Sequence, residues 1–201
     1  DGNPKESMFL IVVGGGMNGK TVLVELHKAA IGEIYGVKLP LSAITGKASN
    51  ADSATPATML LKDATLATYS ESQRNEVLNV ARIKELTGME TIAGRRLHQE
   101  MINFKPRCHH LVTTNFDFDI QCNDNGTWRR LVYLPLKITF VYTYDQKWKD
   151  LQNNKYYRPA DDRVQDLWTS DPEIVGRYLG YMVYLHWQLY RKYKGKVRQV
   201  L

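Results

Sequence analysis

A glycine-rich stretch between an apolar run and a helical pattern constrains the fold of this chain more than any other feature. It reads VVGGGMNGKTVLVEL over residues 12–26 and matches G-x-x-x-x-G-K-[ST] in full. In such a loop, glycines let backbone N–H groups converge on a phosphate, and the dipole of the following helix adds to the attraction. The lysine reaches the β- and γ-phosphates, and the next hydroxyl is a ligand for Mg²⁺. The pattern predicts a nucleoside triphosphate site at Gly14, Gly15, Gly16, Met17, Asn18, Gly19, Lys20 and Thr21.

Apolar runs alternate with helical patterns along the first 140 residues, and this context argues against a chance glycine-rich turn. The predicted strands are 8–13, 39–44, 64–72, 109–115 and 130–136, and the predicted helices are 21–30 and 75–88. Residues 91–104 surround a Gly-Arg-Arg centre and predict a β-hairpin insertion, while the polar segment 45–58 predicts a functional or mobile loop. The alternation predicts an α/β fold with a central parallel sheet of about five strands flanked by helices.

The character of the chain changes near residue 141. The segment 143–165 is polar and aromatic without a clear period, and residues 170–173 (SDPE) then form a helix-start signal with Ser170 as the capping residue. Apolar residues follow at steps of three and four, which predicts an amphipathic helix at about 171–194. We therefore expect an ATPase-type core at 1–140 and a C-terminal extension at 141–201.

Composition indicates the kind of partner and the environment in which the protein acts. The net charge of +6 and the pI near 9.2 favour a polyanionic partner. No apolar run approaches the roughly 18–20 residues that span a bilayer, so no membrane is expected. Cys108 and Cys122 lack metal-ligand spacing, which favours two reduced thiols in an intracellular protein. The first residue is not Met, so we expect a piece of a longer polypeptide.

Polar residues at the ends of predicted strands are suited to phosphate chemistry. A P-loop enzyme needs a carboxylate on a neighbouring strand to orient water or hold the metal through its shell. Glu71 closes the third strand, although Ser70 stands where a first acid is usual, and a solvated carboxylate is the alternative. The Asn115 amide is suited to the γ-phosphate or the attacking water, although a turn-forming Asn is common there. Arg129 and Arg130 are either solvated charges or an arginine finger that neutralises charge in the transition state.

A basic cluster marks the predicted hairpin. Its cationic residues suit contact with a phosphate backbone, and an ordinary solvated hairpin is the alternative. The cluster comprises Arg95, Arg96, His98 and Lys105.

A histidine pair and several aromatic residues give weaker indications of a binding site. The pair His109-His110 has no Cys or acid partner at suitable spacing, so a metal site is not expected there. Four aromatic residues of the extension are suited either to base stacking or to packing under the C-terminal helix, and packing is favoured. They are Trp148, Tyr156, Tyr157 and Trp168.

Several segments in this order resemble the superfamily 3 helicases. More closely, they resemble the helicase domain of primase–helicases from poxviruses, other large DNA viruses and some phages. The segments are GGGMNGKT, ITGKASNADSATPA, LATYSESQ, RIKELTGMETIAGRRLHQEMINFKP, HHLVTTN and NGTWRRLVYLPL, which are distributed over roughly residues 8–140. An Asn before the final Gly-Lys of the loop, here Asn18, is usual in this family. The block LTGMETIAGRRLHQE best separates the family from other P-loop proteins.

The resemblance implies a AAA+ type core that assembles as a homo-oligomeric ring, usually a hexamer. It places ATP between neighbouring subunits and single-stranded DNA in the central channel. By motif, Lys20 and Thr21 bind ATP and Mg²⁺, Glu71 is the Walker B acid and Asn115 is the first sensor. Arg130 best fits the finger that enters the neighbour's site, with Arg129 second.

The resemblance further implies that the hairpin around Arg95, Arg96 and His98 contacts DNA. It thus implies an ATP-dependent helicase that acts on forked DNA in viral-type replication, in the host cytoplasm or nucleus. Primase activity would lie on chain outside this sequence, and this piece alone is compatible with a monomer. The alternatives are a AAA+ ATPase that remodels or loads a protein partner, a small-molecule kinase, and a non-catalytic scaffold.

Overall fold

The computed structural model describes residues 8–45, 55–70, 76–88, 90–122 and 124–193. Its strands are β1 (Phe9–Val13), β2 (Gly36–Pro40), β3 (Leu66–Ser70), β4 (Ile92–Gly94), β5 (Ile102–Phe104), β6 (His109–Thr114), β7 (Leu131–Pro135), β8 (Thr139–Val141) and β9 (Tyr157–Pro159). Its α-helices are α1 (Lys20–Ile31), α2 (Ser42–Thr45), α3 (Pro56–Met59), α4 (Val80–Thr87), α5 (Asn125–Trp128), α6 (Trp148–Leu151), α7 (Arg163–Ser170) and α8 (Pro172–Tyr193).

Five strands form one parallel sheet in the order β2-β3-β6-β1-β7. The predicted α/β fold with a central parallel sheet of five strands flanked by helices is therefore confirmed. All five strands run in one direction, so the residues that follow them meet at one edge of the sheet. The glycine-rich loop follows β1, which lies between β6 and β7. This topology places the ends of β6 and β7 on either side of the loop.

The core surrounds β1, whose apolar run is continuous because both faces of the sheet are covered. Phe9 is fully buried and stacks on the His110 ring with centroids 4.5 Å apart. The edge of that ring is hydrogen-bonded to Tyr69, with 2.9 Å between the Tyr69 hydroxyl and His110 Nδ1. Burial lowers the pKa of His110 to about 3, so the ring is neutral near pH 7. Among the described residues, no group of three His, Cys, Asp or Glu is placed to hold a metal.

The predicted strand at 39–44 is wrong. The strand β2 ends at Pro40, and residues 42–45 form the short helix α2. Proline has no N–H to donate to a sheet ladder, so it favours a strand end there. Leu41 and Ile44 are buried, and the Ile44 N–H donates to Leu41 O at 2.9 Å. The apolar residues that suggested a strand thus belong to a helical turn.

The other predicted elements of the core agree with the structure. The strands β1, β3, β6 and β7 and the helix α1 begin and end within two residues of their predicted bounds. The helix predicted at 75–88 begins later, at Val80, because the Asn79 side chain caps it by accepting from the Arg82 N–H at 3.0 Å. Most of the predicted loop at 45–58 lies outside the described residues.

The C-terminal extension contains more regular structure than its sequence suggested. The strands β8 and β9 pair in parallel, and α7 precedes the predicted helix α8. The cap of α8 is Asp171 rather than Ser170, because Asp171 Oδ1 accepts from the Glu173 N–H at 2.8 Å and Ser170 ends α7.

Both α7 and α8 pack on α1. One of these contacts joins His27 Nδ1 to the Tyr178 hydroxyl at 3.3 Å. No helix in the described part of the chain is both long enough and apolar enough to cross a bilayer.

A candidate nucleotide site at the edge of the sheet

The glycine-rich loop has the backbone of an anion cradle. Gly16 (φ 104°) and Gly19 (φ 77°) have left-handed conformations, which glycine adopts without steric cost. Met17 also has positive φ, at 46°, and its side chain is 52% exposed. The helix α1 begins at Lys20 and has no acidic residue in its first turn, so the positive end of its dipole is not neutralised there. These features fit a bound phosphate chain.

Lys20 lies over this loop. Its ammonium donates to Gly14 O at 2.6 Å and to Asn18 Oδ1 at 3.4 Å. Burial lowers the pKa of Lys20 below its ordinary value. The amine is therefore partly desolvated, which strengthens its attraction to an anion.

The chain after β7 fixes the loop from one side. Asn18 Nδ2 donates to Ile138 O at 2.6 Å, and the Phe140 N–H donates to Met17 O at 2.8 Å. A Cβ at Gly14 would lie 2.7 Å from Asn18 Oδ1, so a larger residue there would displace the Asn18 side chain. The sequence marked Asn18 as part of the loop but gave no sign that residues 136–140 brace it. The contacts span about 120 positions, which local patterns do not reveal.

A cleft of about 300 Å³ lies between α1, which directly follows the loop, and the strands β6, β3 and β2. It contains Lys20, Thr21 and Asn115, which the sequence had assigned to one site. Asn115 directly follows β6, and the Gly14 N–H bonds to Thr114 O at 3.1 Å, so the loop and Asn115 are adjacent. The sequence did not predict the other lining residues, which are Val24, Glu25, Lys28, Lys38, Thr68, Thr113 and Thr114.

The predicted acid, Glu71, lies outside the described residues. The strand that precedes it, β3, is adjacent to β6 in the sheet and ends at Ser70. Because β3 and β6 are parallel, their carboxyl ends share the edge that carries Asn115. The role of Glu71 stays a prediction.

Arg129 and Arg130 lie at the opposite edge of the sheet. The Phe9 N–H donates to Arg130 O at 2.7 Å, so Arg130 is level with the start of β1. A strand rises about 3.3 Å per residue, which places the Arg130 backbone roughly 20 Å from the loop. The Arg130 guanidinium donates to Gly126 O at 2.5 Å, whereas Arg129 is exposed. The structure does not bring either arginine to the cleft of its own chain.

The predicted hairpin exists, with β4 and β5 antiparallel and Gly94 opposite Ile102. Arg96, His98 and Lys105 are exposed, whereas Arg95 is half-buried and its N–H donates to Thr55 Oγ1 at 3.0 Å. His98 has positive φ, at 58°.

The sequence did not predict that apolar side chains would also be exposed on this hairpin. Leu97 is 67% exposed and Met101 is 52% exposed. The strand that follows the hairpin is β6, which carries Asn115 to the cleft.

Comparison with known proteins gives viral relatives of greater length. "Putative primase C962R" of African swine fever virus is 31% identical over 196 residues, which cover 98% of this chain and 20% of that protein. "Putative helicase L207/L206" of Acanthamoeba polyphaga mimivirus is 33% identical over 140 residues, 70% of this chain and 14% of that protein. This chain thus spans about a fifth or less of the length of these two relatives.

The fold is also found in a solved structure. The apo structure of the NrS-1 C-terminal region (305–718) has a TM-score of 0.55 and 17% identity, and the match covers 86% of this chain and 36% of that one. At this identity the likeness concerns the fold alone. The family described as "Family of unknown function (DUF5906)" matches residues 12–130, more than half of the sequence, so the chain belongs to that family.

Proposed function

We propose that this chain is the ATP-hydrolysing motor domain of a viral-type DNA replication helicase, a AAA+ protein of superfamily 3 that moves on single-stranded DNA. One observation carries the proposal: Lys20, Thr21 and Asn115 line one cleft, and a basic hairpin precedes the strand β6, which Asn115 directly follows. The names of the two viral relatives, a primase and a helicase, support a role in DNA replication.

The residues assigned to the nucleotide site would have different roles. The loop N–H groups and Lys20 would hold the phosphates, and the Thr21 hydroxyl would hold Mg²⁺, with Glu71, which lies outside the described residues, as the acid that holds the metal through water. Bound Mg²⁺ would neutralise charge on the β- and γ-phosphates. The Asn115 amide hydrogen-bonds the γ-phosphate or the water that attacks it.

Placement of the arginines at the far edge of the sheet supports a site shared between subunits. Arg130, or Arg129 in second place, cannot reach the γ-phosphate of its own chain across roughly 20 Å. In a ring, each chain would supply this arginine to its neighbour's ATP, where it would stabilise the transition state.

Mixing two inactive variants tests that arrangement. Lys20→Ala removes the phosphate contact and Arg130→Ala removes the finger. Each variant alone should fail to hydrolyse ATP, and a mixture should recover part of the activity because some interfaces pair one intact half from each chain. Absence of recovery would mean that Arg130 acts within its own subunit or not at all; the same mixture with Arg129→Ala decides between the two arginines.

The hairpin is where hydrolysis would act on DNA. Exposed Arg96 and His98 suit contact with the phosphate backbone, and the net charge of +6 is of the right sign. The double variant Arg96→Glu/His98→Glu should abolish binding of single-stranded DNA to the assembled protein and leave ATP binding intact. DNA binding that survives this change would contradict the motor and favour an ATPase that remodels a protein partner.

A further inference from the structure

The glycine-rich loop has different neighbours on its two sides, and the cleft, which begins at Lys20 and Thr21 directly after the loop, lies on one of them. In the strand order β3-β6-β1-β7, the cleft opens toward β6 and β3, where Asn115 lies. The chain after β7 covers the other side of the loop through Asn18 and Phe140. Under the proposed function, the γ-phosphate lies on the side of Asn115. A triphosphate that runs across the loop therefore directs its nucleoside toward β7 and Phe140.

Phe140 is held in place beside the start of α1. Its N–H donates to Met17 O at 2.8 Å, and its ring atom Cε2 lies 3.8 Å from the position that a Cβ on Gly19 would take. As a residue of β8, it is also fixed by pairing with Arg158 of β9. The backbone of Phe140 is thus held on two sides, and its ring lies beside Gly19.

Phe140 is nevertheless 38% exposed, and the neighbouring Met17 is 52% exposed. Two large apolar side chains, one in the loop and one beside it, are therefore exposed to solvent. An aromatic face and a thioether are suitable contacts for the π-face of a base.

We infer that Phe140, with Met17, forms the platform that binds the nucleoside part of the nucleotide. The inference rests on the proposed function, because it assigns the other end of the same ligand. Asn18 has a positioning role: its bond to Ile138 O holds the chain that carries Phe140 against the loop.

The test compares two ligands that share the phosphates and differ in the base. Affinities of the 201-residue chain for ATP and for inorganic tripolyphosphate, both with Mg²⁺, are measured by calorimetry. Phe140→Ala should weaken ATP binding by roughly 5- to 150-fold, the range that base–aromatic stacking gives, and leave tripolyphosphate binding unchanged. Phe140→Trp should keep ATP affinity near that of the wild type. Asn18→Ala is the matched control and should weaken both ligands, because it loosens the loop itself.

Equal weakening of both ligands by Phe140→Ala would reduce Phe140 to a brace of the loop and overturn the inference. Unchanged ATP affinity would overturn it as well. The proposed function fails separately: if Lys20→Ala binds tripolyphosphate as tightly as the wild type, the loop is not a phosphate site and both claims fall. If Lys20→Ala weakens binding of both ligands and Phe140→Ala changes neither affinity, only the assignment of Phe140 to the nucleoside is wrong.

Discussion

The phosphate loop (residues 14–19) and the hairpin loop (residues 95–101) each hold a non-glycine residue at positive φ, yet their surroundings differ. Met17 lies in a loop that bonds to Lys20 and to the chain after β7. His98 lies among exposed side chains at the end of a two-stranded sheet. The difference is consistent with the two tasks that we propose for these loops. A site for phosphoryl chemistry needs donors fixed in advance, whereas contact with a polymer needs charges that reach outward.

The largest effect should come from the ammonium over the phosphate loop. Lys20→Ala removes a charged hydrogen-bond donor to the phosphates, so ATP affinity should fall by roughly 10- to 150-fold, which corresponds to about 1.5–3 kcal/mol. Hydrolysis by the assembled protein should be lost. Calorimetry with ATP and Mg²⁺ measures the first effect, and phosphate release measures the second. Lys62→Ala, an exposed lysine outside the cleft, is the control and should change neither.

Loss of the hydrogen bond between Asn18 and Ile138 should lower the free energy of unfolding. Asn18→Ala leaves Ile138 O without the 2.6 Å bond from Asn18 Nδ2, and loss of a bond to a part-buried group costs about 1–3 kcal/mol. The free energy of unfolding in urea should fall by that amount. His98→Ala in the hairpin loop should change it by less than about 0.5 kcal/mol, as is usual for exposed positions. Equal losses would erase the contrast between the two loops.

The core around the start of β1 should respond to pH. His110 has a pKa of about 3 in the fold and an ordinary value of 6.5 when unfolded, so the unfolded state binds a proton that the folded state does not. Stability should therefore fall as pH drops from about 6.5 toward 3, with a slope near 1.4 kcal/mol per pH unit from this group. Urea unfolding at several pH values measures it. His110→Gln should lose this part of the slope; an unchanged slope would mean that His110 titrates normally.

The smallest effect should come from a single cation of the hairpin. Lys105 is exposed on this element, and one phosphate contact changes the slope of log affinity against log salt by about 1. Lys105→Ala should reduce the slope for single-stranded DNA by that amount without change in ATP affinity. Fluorescence anisotropy across salt concentrations measures the slope. Should it stay the same, the contact surface does not extend to Lys105.

The same two loops show how far sequence reasoning reaches. Lys20, Thr21 and Asn115 were predicted to meet because a complete motif and a strand-end residue specify the same edge of a parallel sheet. Phe140 was not predicted, because its place beside Met17 depends on how the chain returns after β7.

The strand predicted at 39–44 failed for a related reason. A short apolar run fits a buried strand and a buried helical turn equally well, and Pro40 decides between them. Local patterns thus predicted most elements and the motif. The position of Phe140 beside the loop depends on long-range contacts, which local patterns do not reveal.

The stimulation of ATP hydrolysis by single-stranded DNA separates a DNA motor from an ATPase that acts on a protein partner. We expect DNA to raise phosphate release by the assembled wild-type protein. We expect Arg96→Glu/His98→Glu to abolish this rise while ATP binds as before. If DNA leaves the wild-type rate of phosphate release unchanged, or raises it equally in the double variant, the proposed coupling of the phosphate loop to the hairpin is wrong.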